Sequence, residues 1–131
     1  ILDSQLSLFE GTLEENILLG REYIPYSDVR WALRFTELEE EVDALPHGLK
    51  THVRSAGKIF APTHIVRILV ARAILGHPQL LIFEGILHNM HPAMRETILR
   101  RLCSKEEPWS VIFVSNDPNL TPHVDRRIML N

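Results

Sequence analysis

PTHIVRILVARAILGHPQLLIFE, residues 62–84, is the stretch on which the fold turns. It opens on Pro62, and proline suits the first turn of a helix, where its missing N–H would have no intrahelical partner. From Thr63 to Leu75 the residues are apolar almost all round, and a helix without a polar face is a buried helix. Gly76 and Pro78 end it. Leu80 to Phe83 is a continuous apolar run too short for a helix, as expected of a strand covered on both faces. Arg72 lies on the buried helix, so its guanidinium must pair with a carboxylate or cap a carbonyl.

Working outward, Pro92 opens a helix to about Ser104, with Met94, Ile98, Leu99 and Leu102 inward and Arg95, Arg100 and Arg101 outward. A strand follows over Trp109 to Val114. After the Asp117-Pro118 turn signal and Pro122, Ile128 to Leu130 supplies a last short strand. Strand, helix, strand implies a right-handed crossover and parallel pairing. Three short strands are few for a parallel sheet, which needs both faces covered.

Toward the N-terminus the chain is mainly helical. Thr12 is an N-cap with Glu15 as its capping-box partner, opening a short helix from Leu13 to Leu19 that Gly20 closes. Ser27 caps the next helix, where Val29, Ala32, Leu33 and Thr36 form one stripe flanked by Trp31 and Phe35. A further helix, about Leu38 to Leu45, turns Val42 and Leu45 inward and Glu39, Glu40 and Glu41 to solvent. It stops before Pro46-His47-Gly48, and His47 to Phe60 reads as an extended loop.

With 131 residues and 15.1 kDa, the chain is sized for one domain with a real core. Its 45% apolar and 24% charged residues exclude disorder and low-complexity character. The formal charge of -3 gives no footprint for nucleic acid and no attraction to an anionic membrane. A single cysteine, Cys103, forms no internal disulfide and suits a reducing, cytosolic setting. The chain begins on Ile1, carries no signal-peptide pattern and has no apolar run near the roughly 20 residues of a membrane span. It reads as a piece of something longer.

Three strings carry a family resemblance: Leu8-Phe9-Glu10-Gly11-Thr12-Leu13-Glu14-Glu15-Asn16-Ile17, Leu45-Pro46-His47-Gly48-Leu49 and Val70-Ala71-Arg72-Ala73-Ile74. Together they resemble the ATPase domain of ATP-binding-cassette (ABC) transporters of the exporter type. In that family "LFxGTxxENI" follows the Q-loop, "ALPxGLxTxV" lies in the helical subdomain, and "LSGGQ" precedes a helix ending "ARA". Leu80-Leu81-Ile82-Phe83-Glu84 falls where the family has its Walker B strand, so order and spacing agree along nearly the whole chain. The implied fold is α/β: a partial P-loop NTPase core with parallel strands plus a helical subdomain. The helical subdomain and signature helix would span about 10–76, and the Walker B half of the core about 77–131.

The chemical positions depart from that family's pattern. A Walker A loop is missing, since Gly57-Lys58 would need glycine at His52 and a hydroxyl residue at Ile59. The Q-loop glutamine maps to Ser4, with Gln5 one place out of register, and these are the candidates for a metal or water contact. The signature maps to Phe60-Ala61-Pro62-Thr63-His64, where an alanine methyl replaces a serine hydroxyl and a proline nitrogen replaces a glycine N–H. Thr63 keeps an N–H at a helix start and is a candidate anion contact, although a plain proline-initiated helix explains the same residues. Walker B ends Glu84-Gly85 where the family has Asp-Glu. Glu84 is therefore the candidate ligand for hydrated Mg²⁺, and Gly85 removes the carboxylate that would polarise the attacking water. The D-loop region reads His88-Asn89-Met90-His91-Pro92, with His91 in place of aspartate, and the switch histidine maps to Asn116, which carries no proton or charge to a transition state.

Other residues read more plainly. His88 and His91 at i, i+3 have no third ligand at metal spacing and read as surface histidines, and Cys103 reads as a core or boundary thiol. The resemblance implies ATP and Mg²⁺ as the parent family's cofactors, with neither held tightly by this fragment. It also implies a second nucleotide-binding domain and a transporter membrane domain as partners, and a place at the cytoplasmic face of a membrane. The expected role is an ABC transporter ATP-binding domain, coupled to export but hydrolytically inactive as it stands. The alternative is a non-catalytic interaction or regulatory module on the same scaffold, with Trp31 to Glu41 as its docking surface. An exposed sheet edge further implies self-association.

Overall fold

The computed structural model describes residues 2–3, 8–53, 62–85, 87 and 90–129. Its centre is the helix expected from Pro62 onward. This helix, α4, spans Pro62–Ile74 and buries Val66 through Arg72 together with Ile74. Around it lie α1 (Leu13–Leu18), α2 (Tyr26–Phe35), α3 (Glu39–Asp43) and a 3-10 turn at Gly48–Lys50. Strand β1 (Leu2–Asp3) precedes them, and β2 (Leu80–Glu84), α5 (Pro92–Leu102), β3 (Ser110–Val114) and a 3-10 segment at Pro118–His123 complete the order. Helices and strands share one core, in which Leu13, Ile17, Leu33, Ile68, Leu69, Phe83, Ile98 and Leu99 are sealed from solvent. Each such side chain contributes about 1.5–3 kcal/mol by leaving water.

The ends of α1 show how local sequence starts and stops a helix. Thr12 accepts the Glu15 N–H at 3.1 Å while the Glu15 carboxylate accepts the Thr12 N–H at 3.3 Å, so the expected capping box is formed. Closure begins one residue before Gly20: Leu19 takes the left-handed conformation (φ 52°) and Gly20 follows at φ 75°. Two helix ends then share one cation. Arg21 donates to the Leu18 and Ile17 carbonyls at the end of α1 and to the Arg72 and Leu75 carbonyls at the end of α4. A guanidinium there meets the unpaired carbonyls and the negative dipole end of both helices.

Ser27 does not cap α2. The helix starts at Tyr26 with Pro25 at the N-cap, because the fixed φ of Pro25 (-64°) already aims its carbonyl at the Asp28 and Val29 amides. The expected stripe is buried, with Val29, Ala32, Leu33 and Thr36 each at most 2% exposed. Trp31 and Phe35 also turn toward the protein, packing with Trp109 and, for Trp31, with His77. In the acidic run, Glu40 and Glu41 are exposed as expected and Glu39 is half-buried; Glu39 pairs with Arg30 and Arg34, and Glu41 pairs with Arg67 and His64. Within Trp31 to Glu41, Arg34, Glu37, Glu40 and Glu41 are exposed while Phe35 is buried and Trp31 half-buried.

Both arginines of α4 are buried and occupied. Arg72 donates to the Asn16 backbone carbonyl at 2.8 Å and to its side-chain oxygen at 3.2 Å, so of the two expected solutions it takes the carbonyl cap. Burial, with the charge of Arg21 second, pushes its pKa down. Arg67 donates to the Thr36 and Glu37 carbonyls and grips the Glu41 carboxylate with Nη2, while its Nε has no partner among the described residues.

The sheet is parallel in the order β1-β2-β3, with Leu2 opposite Phe83 and Leu80 through Glu84 opposite Ser110 through Val114. Two expectations fail here. β2 is not fully covered on both faces: Leu81 and Phe83 are buried, but on the other face Ile82 is half-buried and Leu80 about half exposed, as are Ile112 and Val114 of β3. Nor is there a strand at Ile128 and Met129, which are extensively exposed, and Leu130 lies outside the described residues. A strand needs a neighbour to satisfy its backbone, and among the described residues none pairs along the outer edge of β3. The third strand comes instead from Leu2–Asp3 on the far side of β2.

Candidate functional site

In parallel sheets ligands gather at the carboxyl ends of the strands, where side chains and backbone groups leave the sheet together. Here β2 and β3 end in step, with Glu84 opposite Val114. Glu84 and Gly85 therefore depart beside Ser115, Asn116 and Asp117. A cavity of about 20 Å³ sits at this end, bordered by Phe83, Gly85, Phe113, Ser115, Asp117 and Leu120. Its floor is the pair Phe83 and Phe113, stacked with ring centres 5.7 Å apart. It has room for about one water molecule. Glu84 and Asn116 are both exposed, and neither borders it.

Gly85 adopts φ 62°, in the left-handed region that disfavours a residue with a Cβ. The missing side chain is therefore matched by a backbone shaped for glycine. Asp117, read from sequence only as part of a turn, is fully engaged. Its N–H donates to Ser115 Oγ at 3.0 Å, its carboxylate accepts the Asn119 N–H at 2.9 Å, and Arg95 stands 3.8 Å from its other oxygen. The Asp-Pro pair was the available signal, since aspartate before a helical proline is a capping pattern.

The remaining candidates lie elsewhere. Thr63 is half-buried in the first turn of α4 and does not border the cavity. Its neighbour His64 bonds Glu41 at 2.9 Å. Ser4, Gln5, Gly57, Lys58, Phe60, Ala61 and His88 lie outside the described residues. His91 is the N-cap of α5, its Nδ1 accepting the Ala93 N–H at 3.3 Å. Among the described residues no group of three His, Cys, Asp or Glu side chains is placed to hold a metal. Cys103 is half-buried, and burial followed by the charge of Asp125 raises its pKa, the opposite of an activated thiol. Among the described helices none is long and apolar enough to cross a membrane.

No family model matches the chain. Individual proteins do. The ABC-type transmembrane transporter verA of Clonostachys rogersoniana is 26% identical over 122 residues, covering 92% of this chain and 10% of the relative. The mycobactin import ATP-binding/permease protein IrtB of Mycolicibacterium thermoresistibile is 28% identical over 119 residues, covering 91% of this chain and 21% of the relative. The chain is a relative of the ABC transporters. Its fold agrees: a bacterial Atm1-family ABC exporter, solved with ATP bound, superposes with a TM-score of 0.79 at 20% identity, over 91% of this chain and 21% of the exporter. The chain thus spans between a tenth and about a fifth of the length of these ABC proteins. Its mixed helices and small parallel sheet share the fold of a portion of that exporter.

Proposed function

We propose that this chain is a portion of an exporter-type ATP-binding domain that has lost its hydrolytic groups. Residues of about 10–76 form its helical subdomain, and those of about 77–131 the Walker B half of a P-loop core. The observation that carries this reading is the end of β2: Glu84 is followed by Gly85 in a glycine-type conformation, with Asn116 at the adjoining strand end. Without a carboxylate at Gly85, general-base help of about 10²–10⁴-fold is forfeited, and a neutral amide at Asn116 cannot take up charge as an imidazole does.

The described residues do not fit a tightly held Mg-triphosphate. The space between the strand ends is about 20 Å³, the carboxylate that borders it is the already engaged Asp117, and the exposed Glu84 carboxylate does not border it. Glu84 would be the chain's contribution to a magnesium ion, Thr63 its contribution to an anion, and Ser4 or Gln5 a contact with metal or water. ATP binding would then depend on a second nucleotide-binding domain, with a membrane domain receiving the motion at the cytoplasmic face. The open edge of β3 supports self-association of the chain when it is by itself.

A phosphate-release assay with Mg-ATP tests the reading. Purified chain should give no turnover above buffer, and turnover that disappears in Glu84→Ala would overturn it. Sedimentation velocity across a concentration series should show growth beyond monomer, whereas a clean monomer at high concentration would count against an adhesive β3 edge.

A further inference from the structure

We propose that the segment from Asp117 to Asp125 is a strap clasped to α5 by charge, and that its release opens the carboxyl end of the sheet. Three ties hold it. Asp117 lies 3.8 Å from Arg95, His123 Nε2 is 2.9 Å from Glu96, and Asp125 is 2.8 Å from Lys105. These partners lie along and just beyond one helix, spaced from residue 95 to residue 105 as the strap runs from 117 to 125.

Apolar packing adds little to the clasp. No residue of Pro118–His123 is fully buried; Leu120 packs, partly buried, against the core, and the His123 side chain is 11% exposed. Its backbone is also loosely tied onward, with the Val124 N–H reaching the Thr121 carbonyl at 3.4 Å. Beneath the strap, Asp117 and Leu120 face Phe83, Gly85, Phe113 and Ser115 across the small cavity. Lifting the strap therefore uncovers the strand ends while leaving the α4 core untouched. That is how a segment held by polar contacts separates from one held by buried area.

Lys105–Asp125 is an exposed ion pair, Arg95–Asp117 is a partly buried one, and His123–Glu96 is a hydrogen bond that carries charge only when the imidazole is protonated. An exposed ion pair changes a local opening equilibrium by up to about fivefold and weakens as salt shortens the screening length. The strap needs no nucleotide to act, so its test is independent of the proposed function. Hydrogen–deuterium exchange of the whole chain is followed in residues 117–125, with α5 and β3 as internal references, at about 20 mM and about 500 mM NaCl, salt concentrations between which screening changes severalfold. Residues 117–125 should exchange about fivefold faster at high salt while α5 and β3 hold their rates. The Glu96→Gln, Lys105→Gln double variant should exchange fast at both salts. Salt-independent exchange in residues 117–125 of the wild type, or an equal acceleration in β3 and α5, would overturn the proposal. The wild-type salt series decides alone if the double variant does not fold.

Discussion

Replacing Asn16 with alanine tests how α1, α4 and the preceding loop are held together. Asn16 is fully buried on α1. Its side-chain oxygen accepts the Phe9 N–H at 2.8 Å and an Arg72 N–H at 3.2 Å, and its amide donates to the Phe9 and Thr12 carbonyls at 3.0 and 2.9 Å. At about 1 kcal/mol per hydrogen bond the four sum to about 4 kcal/mol. Part of that is recovered in the variant. The Thr12 carbonyl still receives the Asn16 N–H, Arg72 keeps its bond to the Asn16 carbonyl, and Phe9 is 42% exposed, so water can reach its backbone. A net loss of about 2–3 kcal/mol remains, equivalent to a fall in Tm of about 7–11 °C at about 2.1 cal/mol/K of unfolding entropy per residue. Scanning calorimetry with urea denaturation would measure it. An Asn16→Ala variant within 0.5 kcal/mol of wild type, or an Asn16→Leu variant that restores stability, would refute the reasoning, since leucine fills the volume and makes none of the bonds.

Gly85→Glu should lose about 1–2 kcal/mol for placing a Cβ at positive φ and should gain no ATP turnover; Gly85→Ala, measured in parallel, separates backbone strain from charge, and equal stability of all three proteins would contradict a glycine-specific turn. Arg30 hydrogen-bonds Asp43 at 2.9 and 2.7 Å, and this bond, reinforced by charge, holds the Asp43 carboxyl below its ordinary value of 3.8. The folded value lies below the unfolded one, so the pair's contribution is complete above the unfolded value and disappears as pH falls through the folded one. Carboxyl NMR titration should find Asp43 depressed in the wild type and ordinary in Arg30→Ala.

What could be read from the sequence was what is encoded within a few residues. The Thr12–Glu15 capping box spans four positions, and the all-round apolarity of α4 needs no partner to be recognised. The β2 and β3 runs were legible for the same reason, and with them the strand ends at or just beyond which Glu84, Gly85 and Asn116 lie. The failures were non-local. Leu2–Asp3 is too short to show a period, yet it pairs with β2 across 81 residues. Ile128 and Met129 have the composition of a strand and no partner strand among the described residues. The polar knot of Asn16, Arg21 and Arg72 joins residues 51 to 56 positions apart, and no periodicity announces it. In the site, the role of Asp117 was hidden because its partner Arg95 sits on another element.

The shared use of Arg21 has a mechanical consequence. One guanidinium serves the closing carbonyls of both α1 and α4, so neither helix can slide along its axis without dragging the other's terminus. The end of α1 and the end of α4, just ahead of the turn into β2, are therefore fastened to each other through one side chain instead of through two separate anchors.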